Sequence, residues 1–422
     1  MTTTTEATVR AEVRAWLADN WDPQLSLIEW RQRLVHSGWG APGWPVNLYG
    51  RGLEAALVPV VEDEMWRARA VGVARSGARN LAIQTILAHG SEAQKRAFLP
   101  PTMTGQYSWC QLFSEPGSGS DLAGATTRAD LKDGRWFVNG QKVWTTSAHH
   151  ADWGLLLART NWDAPKHAGL SFFLINMHQP GIEVRPLRQM NGYASFNEVF
   201  FTDAEVAPDN LVGELGAGWA VATTTLMHER SHGDPSAAKP MDSGGHEGRV
   251  YVEEREEIAI ATEPYGWYPQ RSGRVDLILE RARETGSIED PVIRQEIAKL
   301  LILDRSAKWT ALRARAGLAA GESLGPMGSL IKLVGSHVAR SAARVHTLIS
   351  GAEAMLAGGD APSDGVIAEV LVSVPAVSIA GGTDEIQRNI IAERILRMPK
   401  DPNFDAKRPF REVPRNPAKT TA

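Results

Sequence analysis

Four stretches of the sequence gather side chains able to do chemistry. The first is Gln111-Leu112-Phe113-Ser114-Glu115-Pro116-Gly117-Ser118-Gly119-Ser120-Asp121-Leu122-Ala123-Gly124. Its glycines let backbone amides approach a polyanion, and its serine hydroxyls can bond phosphate or heteroaromatic oxygens. Taken alone, such a run also suits a plain surface turn. The second is Val138-Asn139-Gly140-Gln141-Lys142-Val143-Trp144-Thr145-Thr146-Ser147, closely followed by Ala151-Asp152-Trp153. An indole beside hydroxyls at the end of a strand can lie against a flat aromatic cofactor while a hydroxyl bonds a ring nitrogen. In isolation a buried core tryptophan is the simpler reading. The third is Ala380-Gly381-Gly382-Thr383-Asp384-Glu385-Ile386-Gln387-Arg388, whose glycines permit close backbone approach and whose Thr383 or Asp384 can cap the helix that follows. The fourth, Leu226-Met227-His228-Glu229-Arg230, sets a carboxylate and a guanidinium side by side, usually a solvated pair.

The elements that must carry these stretches follow from periodicity. Residues 6 to about 105 read as helical: Val9, Val13, Trp16 and Leu17 share one face, a second tract covers Leu53 to Ala68, and a third covers Asn80 to Leu99. Pro100-Pro101 is expected to stop that helix. From Ser108 to about Val212 the period becomes two. Asp133-Gly134 and Asn139-Gly140 predict turns separating short strands Arg135–Val138 and Lys142–Thr146. Further strands are expected at Leu155–Thr160, Leu170–Asn176, Ile182–Leu187 and Asn197–Thr202, a spacing that suits a small barrel or sandwich. Helical periodicity returns near Gly218 and includes bundle helices at Val292–Arg315 and Leu330–Ile349.

The fold class is therefore α+β and multidomain: an N-terminal helical domain (1–107), a middle β-barrel-like domain (108–214) and a C-terminal helical bundle (215–400). Residues 233–274, rich in Gly, Pro and charge, are too long for a bundle connection and read as a lid or surface insertion. The Pro-rich tail at 401–422 reads as extended or disordered. The whole, 422 residues with a formal net charge of −4, gives no electrostatic case for nucleic acid or anionic membrane. No apolar run spans a bilayer, the Thr-rich N-terminus lacks signal-peptide features, and Cys110 is the sole cysteine, so the expectation is a cytoplasmic protein without disulfides. No metal-ligand spacing is apparent.

In order and spacing these motifs, together with Gly90-Ser91-Glu92-Ala93-Gln94-Lys95-Arg96-Ala97-Phe98-Leu99-Pro100, resemble the acyl-CoA dehydrogenase family from about Glu6 to about Pro399. The resemblance implies FAD between the domains, with Gln111, Phe113 and Ser114 bordering its ring and Gly119 and Ser120 near its pyrophosphate. Ser120 would also lie close to the CoA moiety. Trp144 and Thr146 would flank the isoalloxazine, and Thr383 and Glu385 would contact FAD after the bundle. Many members carry their catalytic base just before the final Gly-Thr motif, where this sequence has Gly381. The pattern Leu-x-x-Glu-Arg of the isovaleryl-CoA and long-chain branches instead matches Leu226 to Arg230. It implies Glu229 as base, with Arg230 and Gly382 meeting substrate. The family's Arg-x-x-Phe-Gly segment for the adenine end of FAD is not recognisable, which leaves Arg271 or Arg274 as stand-ins. The implied partners are an acyl-CoA thioester and an electron-transfer flavoprotein, in a homotetramer or a heterotetramer with a related subunit. The competing readings are a flavin oxidase or monooxygenase on the same fold, and a non-catalytic partner subunit.

Overall fold

The computed structural model describes residues 5–74, 77–231, 245–319 and 326–414, with the side chains of residues 230, 231, 318 and 319 outside that set. The chain runs from helices through a sheet back to helices. Helices α1 (Glu6–Asn20), α2 (Leu27–His36), α3 (Val58–Arg67), α4 (Gly77–His89) and α5 (Glu92–Thr104) come first. Val9, Val13 and Leu17 are buried on one face of α1, where they meet Trp30, Leu34 and Val61, because residues spaced by three and four share a helix face.

Two expectations for this region are corrected. The tract Asn80 to Leu99 is two helices, since Ser91 caps α5 in a reciprocal box with Gln94 and so restarts the helix. Nor does Pro100-Pro101 end it: α5 continues to Thr104 with both prolines inside. Proline φ is already helical, and the face bearing Leu99, Thr102 and Met103 is buried. The Thr102 and Thr104 hydroxyls donate to the carbonyls of Phe98 at 2.6 Å and Pro100 at 3.0 Å.

The middle region is an eight-stranded sheet built from β1 (Trp109–Leu112), β2 (Arg128–Lys132), β3 (Arg135–Thr146), β4 (Trp153–Arg159), β5 (Leu170–Asn176), β6 (Ile182–Leu187), β7 (Phe196–Val206) and β8 (Leu211–Val212). Its order is β6-β7-β3-β2-β4-β5-β8, with β1 parallel to β4. Asp133-Gly134 does turn β2 into β3, both residues having positive φ. Asn139-Gly140 does not turn; it lies inside β3, so the two short strands expected there are one. The turn signal marks a bulge, where pairing with β7 shifts register between Val138 and Gly140. A Cβ on Gly140 would sit 2.7 Å from the Cα of Thr127. The dipeptide therefore serves close approach within the sheet rather than reversal.

One face of the sheet, through Leu155, Leu157, Leu170 and Phe172, packs on α4, α5 and α6 (Gly218–Ser231). After α6 come α7 (Arg249–Thr262), α8 (Tyr268–Arg271), α9 (Ile278–Glu284), α10 (Pro291–Ala319), α11 (Met327–Ser350), α12 (Val366–Ser373) and α13 (Asp384–Ile390). Helices α9, α10 and α11 share a core of Ile278, Ile297, Leu300, Val345 and Ile349. No described helix is long and apolar enough to cross a membrane.

The insertion expected over 233–274 falls partly outside the described residues; its described part, from Gly245 on, is largely helical. Val250 and Tyr251 of α7 are buried in the N-terminal helical core. Glu257 pairs with Arg31 at 2.7 Å and Arg79 at 2.8 Å, and Tyr251 donates to the Arg69 carbonyl at 2.9 Å. The tail is likewise corrected as far as Pro414: Phe410 is buried against the loop after β4, and the Phe410 and Arg411 amides each donate at 3.0 Å to the Ala164 and Trp162 carbonyls. An aromatic residue with a fixed partner overrides the compositional signal of a proline-rich segment.

Candidate active site

A cavity of about 2720 Å³ extends from the junction of sheet, α6 and bundle along the N-terminal helices and α7. That is well above the roughly 300–1,000 Å³ of a site for one small ligand. Gln111, Phe113, Ser114, Gly119, Ser120, Trp144, Thr146, Glu229, Gly382 and Thr383 all line it, although they come from four separate stretches. Glu385 is not among the lining residues; it is exposed and pairs with Arg388 at 3.1 Å. The side chain of Arg230 lies outside the described residues.

Helix α6 sets the position of Glu229. Its inner face, Val221 and Ala222, is buried against the α4 core, and the hydroxyls of Thr225 and Thr85 meet at 2.8 Å inside that contact. At the end of this braced helix the Gln111 amide donates to Glu229 Oε2 at 3.3 Å. A Cβ placed on Gly381 would sit 4.0 Å from Glu229 Oε1. The glycine before Gly-Thr and the carboxylate on α6 thus address the same space from opposite walls. Gly381 and Gly382 both have positive φ, at 65° and 84°. Gln387, fully buried, fastens that conformation by donating to the Gly381 carbonyl at 2.8 Å and the Gly382 carbonyl at 3.3 Å. Thr383 is the N-cap of α13, its hydroxyl accepting from the Ile386 amide at 3.3 Å. Behind it Asp384 pairs with Lys332 at 3.0 Å; burial disfavours the charged carboxylate, yet hydrogen bonds from Ser336 and Lys332 hold it below its ordinary range.

Across the cavity Trp144 has φ 62° and an indole 59% exposed, propped edge-on by Phe196 at 5.8 Å. A non-glycine residue in this conformation costs of order 1–3 kcal/mol, and here it turns a large flat ring out of the sheet into the cavity. Thr146 stands two residues on. A flat ring beside hydroxyls, a loop of small residues and room for two large ligands fit a bound flavin dinucleotide with a thioester beside it. Nothing within 4 Å would meet a Cβ on Gly117 or Gly119, so the backbone there is open to a ligand.

Three supports of this site were not singled out in the sequence. Lys142 and Glu115 form a buried ion pair at 2.9 Å beneath the Gly-Ser loop. Burial pushes Lys142 below its usual range. Burial opposes ionisation of Glu115 too, but Lys142 and the amides of Thr126 and Thr127 outweigh it and hold the carboxyl at about 2. Arg159, fully buried, donates to the carbonyls of Ala125 at 2.9 Å and Ala123 at 2.7 Å. Gln387 is the third. Charged residues inside otherwise apolar strands were the available signal for Lys142 and Arg159; Gln387 carried none apart from its motif. Of the two stand-ins for the missing arginine segment, Arg271 lines the cavity with its guanidinium 3.8 Å from the Tyr268 ring centre, while Arg274 pairs with Asp276 at 2.7 Å.

Comparison with known proteins places the chain. Residues 2–106, 110–204 and 273–396 match the N-terminal, middle and C-terminal domains of acyl-CoA dehydrogenases, and the chain belongs to that family of flavoprotein oxidoreductases. It is 34% identical over 418 residues to acyl-CoA dehydrogenase IpdE1 of Mycobacterium tuberculosis, covering 93% of this chain and 97% of that one. Among solved structures, the ChsE4-ChsE5 complex of the same organism is 26% identical with a TM-score of 0.62, covering 95% of this chain and 100% of that one. The Tcur3481-Tcur3483 steroid ACAD, 24% identical with a TM-score of 0.64 over 94% and 98% of the two chains, shares the fold. The fold class and the enzyme class read from the sequence are those of the family.

Proposed function

We propose that this acyl-CoA dehydrogenase uses FAD and Glu229 to convert an acyl-CoA thioester to its trans-2-enoyl-CoA, with electrons leaving to an electron-transfer flavoprotein. The observation that carries the reading is the position of the Glu229 carboxylate, bonded to Gln111 and facing the space beside Gly381. A carboxylate there takes the proton from the carbon α to the thioester; Gln111 fixes which oxygen points at it. FAD, when bound, supplies the acceptor for the β hydrogen. Trp144 and Thr146 would hold its ring, Gly119 and Ser120 its phosphates, and Gly382 and Thr383 the far wall. Phe113, fully packed edge-on against Phe172 at 5.8 Å, keeps water from the ring's edge. Arg230 and Ser120 would meet the thioester. Arg271, which lines the cavity, would serve FAD from where it stands, whereas Glu385 would do so only from a different rotamer or a neighbouring chain.

A related subunit in a heterotetramer is the arrangement that the ChsE4-ChsE5 complex supports by its similarity; a homotetramer is the alternative. The test is an anaerobic absorbance titration of purified protein with a panel of acyl-CoA thioesters. Some member bleaches the oxidised-flavin band in the native protein. Glu229→Gln binds flavin but slows bleaching by about 10²–10⁴-fold. Unchanged bleaching in the variant sinks the assignment of the base; prompt reoxidation by oxygen favours an oxidase.

A further inference from the structure

The Gly-Ser loop, Gly117 to Gly124, is held from two sides by residues of the sheet beneath it, and one of those two is itself braced by the trailing segment. The first is the Glu115–Lys142 pair at its start. At its end, Arg159 binds the carbonyls of Ala123 and Ala125, and its third nitrogen bonds the Lys166 carbonyl at 3.1 Å. Lys166 in turn pairs with Asp121 of the loop. The Arg159 guanidinium itself is stacked on a residue some 250 positions away: its central carbon lies 3.4 Å from the centre of the Phe410 ring. The trailing segment is fixed there by main chain. Phe410 and Arg411 donate to the Ala164 and Trp162 carbonyls at 3.0 Å, Pro409 bridges to Pro165, and Arg411 pairs with Asp163 at 2.6 Å. Trp162 packs beside Phe410 at 5.6 Å, its ring centre 5.8 Å from the same guanidinium carbon. The residues between this strap and the bundle, 399–408, are almost all exposed.

We infer that Phe410 is a positioning residue: the 409–411 strap closes over Arg159 and so holds the Gly119–Ser120 loop in the conformation that receives ligand. Stacking on the ring shields the guanidinium from water and favours donation to the carbonyls of Ala123, Ala125 and Lys166, which sets the loop's end. The consequence for ligand rests on the reading that Gly119 and Ser120 meet the cofactor phosphates and the thioester.

The experiment measures hydrogen exchange of loop amides, FAD affinity, and KM and kcat for the best thioester in Phe410→Ala, Phe410→Leu and Phe410→Tyr. The expected result is faster exchange at Gly124, Ala125 and Thr126 in the Ala and Leu variants. FAD Kd and thioester KM should weaken about tenfold, the scale of one desolvated cation–aromatic contact, with kcat little changed. The Tyr variant, which keeps the aromatic face, restores both, whereas a merely space-filling role is met by Leu. Unchanged loop exchange in Phe410→Ala overturns the inference. Faster exchange with unaltered affinities upholds the strap and overturns the loop's assignment to ligand. If Phe410→Ala does not fold, Arg411→Ser loosens the same strap from its exposed side, and unchanged loop exchange there overturns the inference equally.

Discussion

At the scale of single residues the site depends on carboxylates treated in opposite ways. Glu229 faces a cavity, with the Gln111 amide on one of its oxygens; Glu115 is sealed under the loop and saturated with donors. Because a Cβ at position 381 would point toward the Glu229 carboxylate, a base moved across the cavity should still reach the substrate. The double variant Glu229→Gly with Gly381→Glu is expected to recover part of the flavin reduction lost in Glu229→Gly alone, less than all of it because φ at 381 is left-handed. Stopped-flow bleaching compares the two, and no recovery contradicts the shared address. Lys142→Met leaves Glu115 charged without its partner; unfolding free energy from urea titration should fall by roughly 3–5 kcal/mol, the usual cost of breaking a buried pair. A loss near zero means that the remaining donors, the Thr126 amide and hydroxyl and the Thr127 amide, suffice.

At the scale of elements, the stretch expected as a lid contributes a docked helix. Helix α7 joins the N-terminal core through Val250 and Tyr251 and through Glu257, whose carboxylate holds two largely buried guanidinium groups. Glu257→Gln weakens both pairs, and we expect a loss of about 2 kcal/mol with faster hydrogen exchange concentrated in 249–262 and at Arg31 and Arg79. Uniform exchange across the chain is the contrary result. The bulge at Gly140 is a second element-scale device. Alanine there collides with the Thr127 backbone, and a cost of about 1–3 kcal/mol is expected, read as a lower thermal midpoint. The same reasoning explains why Asn139-Gly140 and Pro100-Pro101 misled as punctuation while Asp133-Gly134 did not: each is a statement about one residue's φ and donor, and packing decides whether the element ends there.

For the whole molecule, Glu115 makes stability depend on acid. Its folded value, about 2, lies below the roughly 4.3 of an unfolded glutamate. A depressed carboxylate contributes fully above the unfolded value, and the contribution is lost as pH falls from there through the folded one. Unfolding free energy measured from pH 6 down to the acid limit should therefore fall below about pH 4.5. The slope should be shallower when Glu115→Gln and Lys142→Met are combined. Equal slopes would assign the acid sensitivity to other carboxylates. What the sequence by itself determined was the order of helical, β and helical regions and a set of candidate site residues that line one cavity, because periodicity and motif spacing are local and survive without contacts. Only the tertiary structure decided that Glu229 and Gly381, 152 positions apart, face one another. It also decided that Glu385 turns outward, that Lys142 and Arg159 lie inside the sheet's apolar layers, and that Phe410 returns to the loop. Those are distances between remote segments, set by which surfaces bury one another, and no spacing along the chain encodes them.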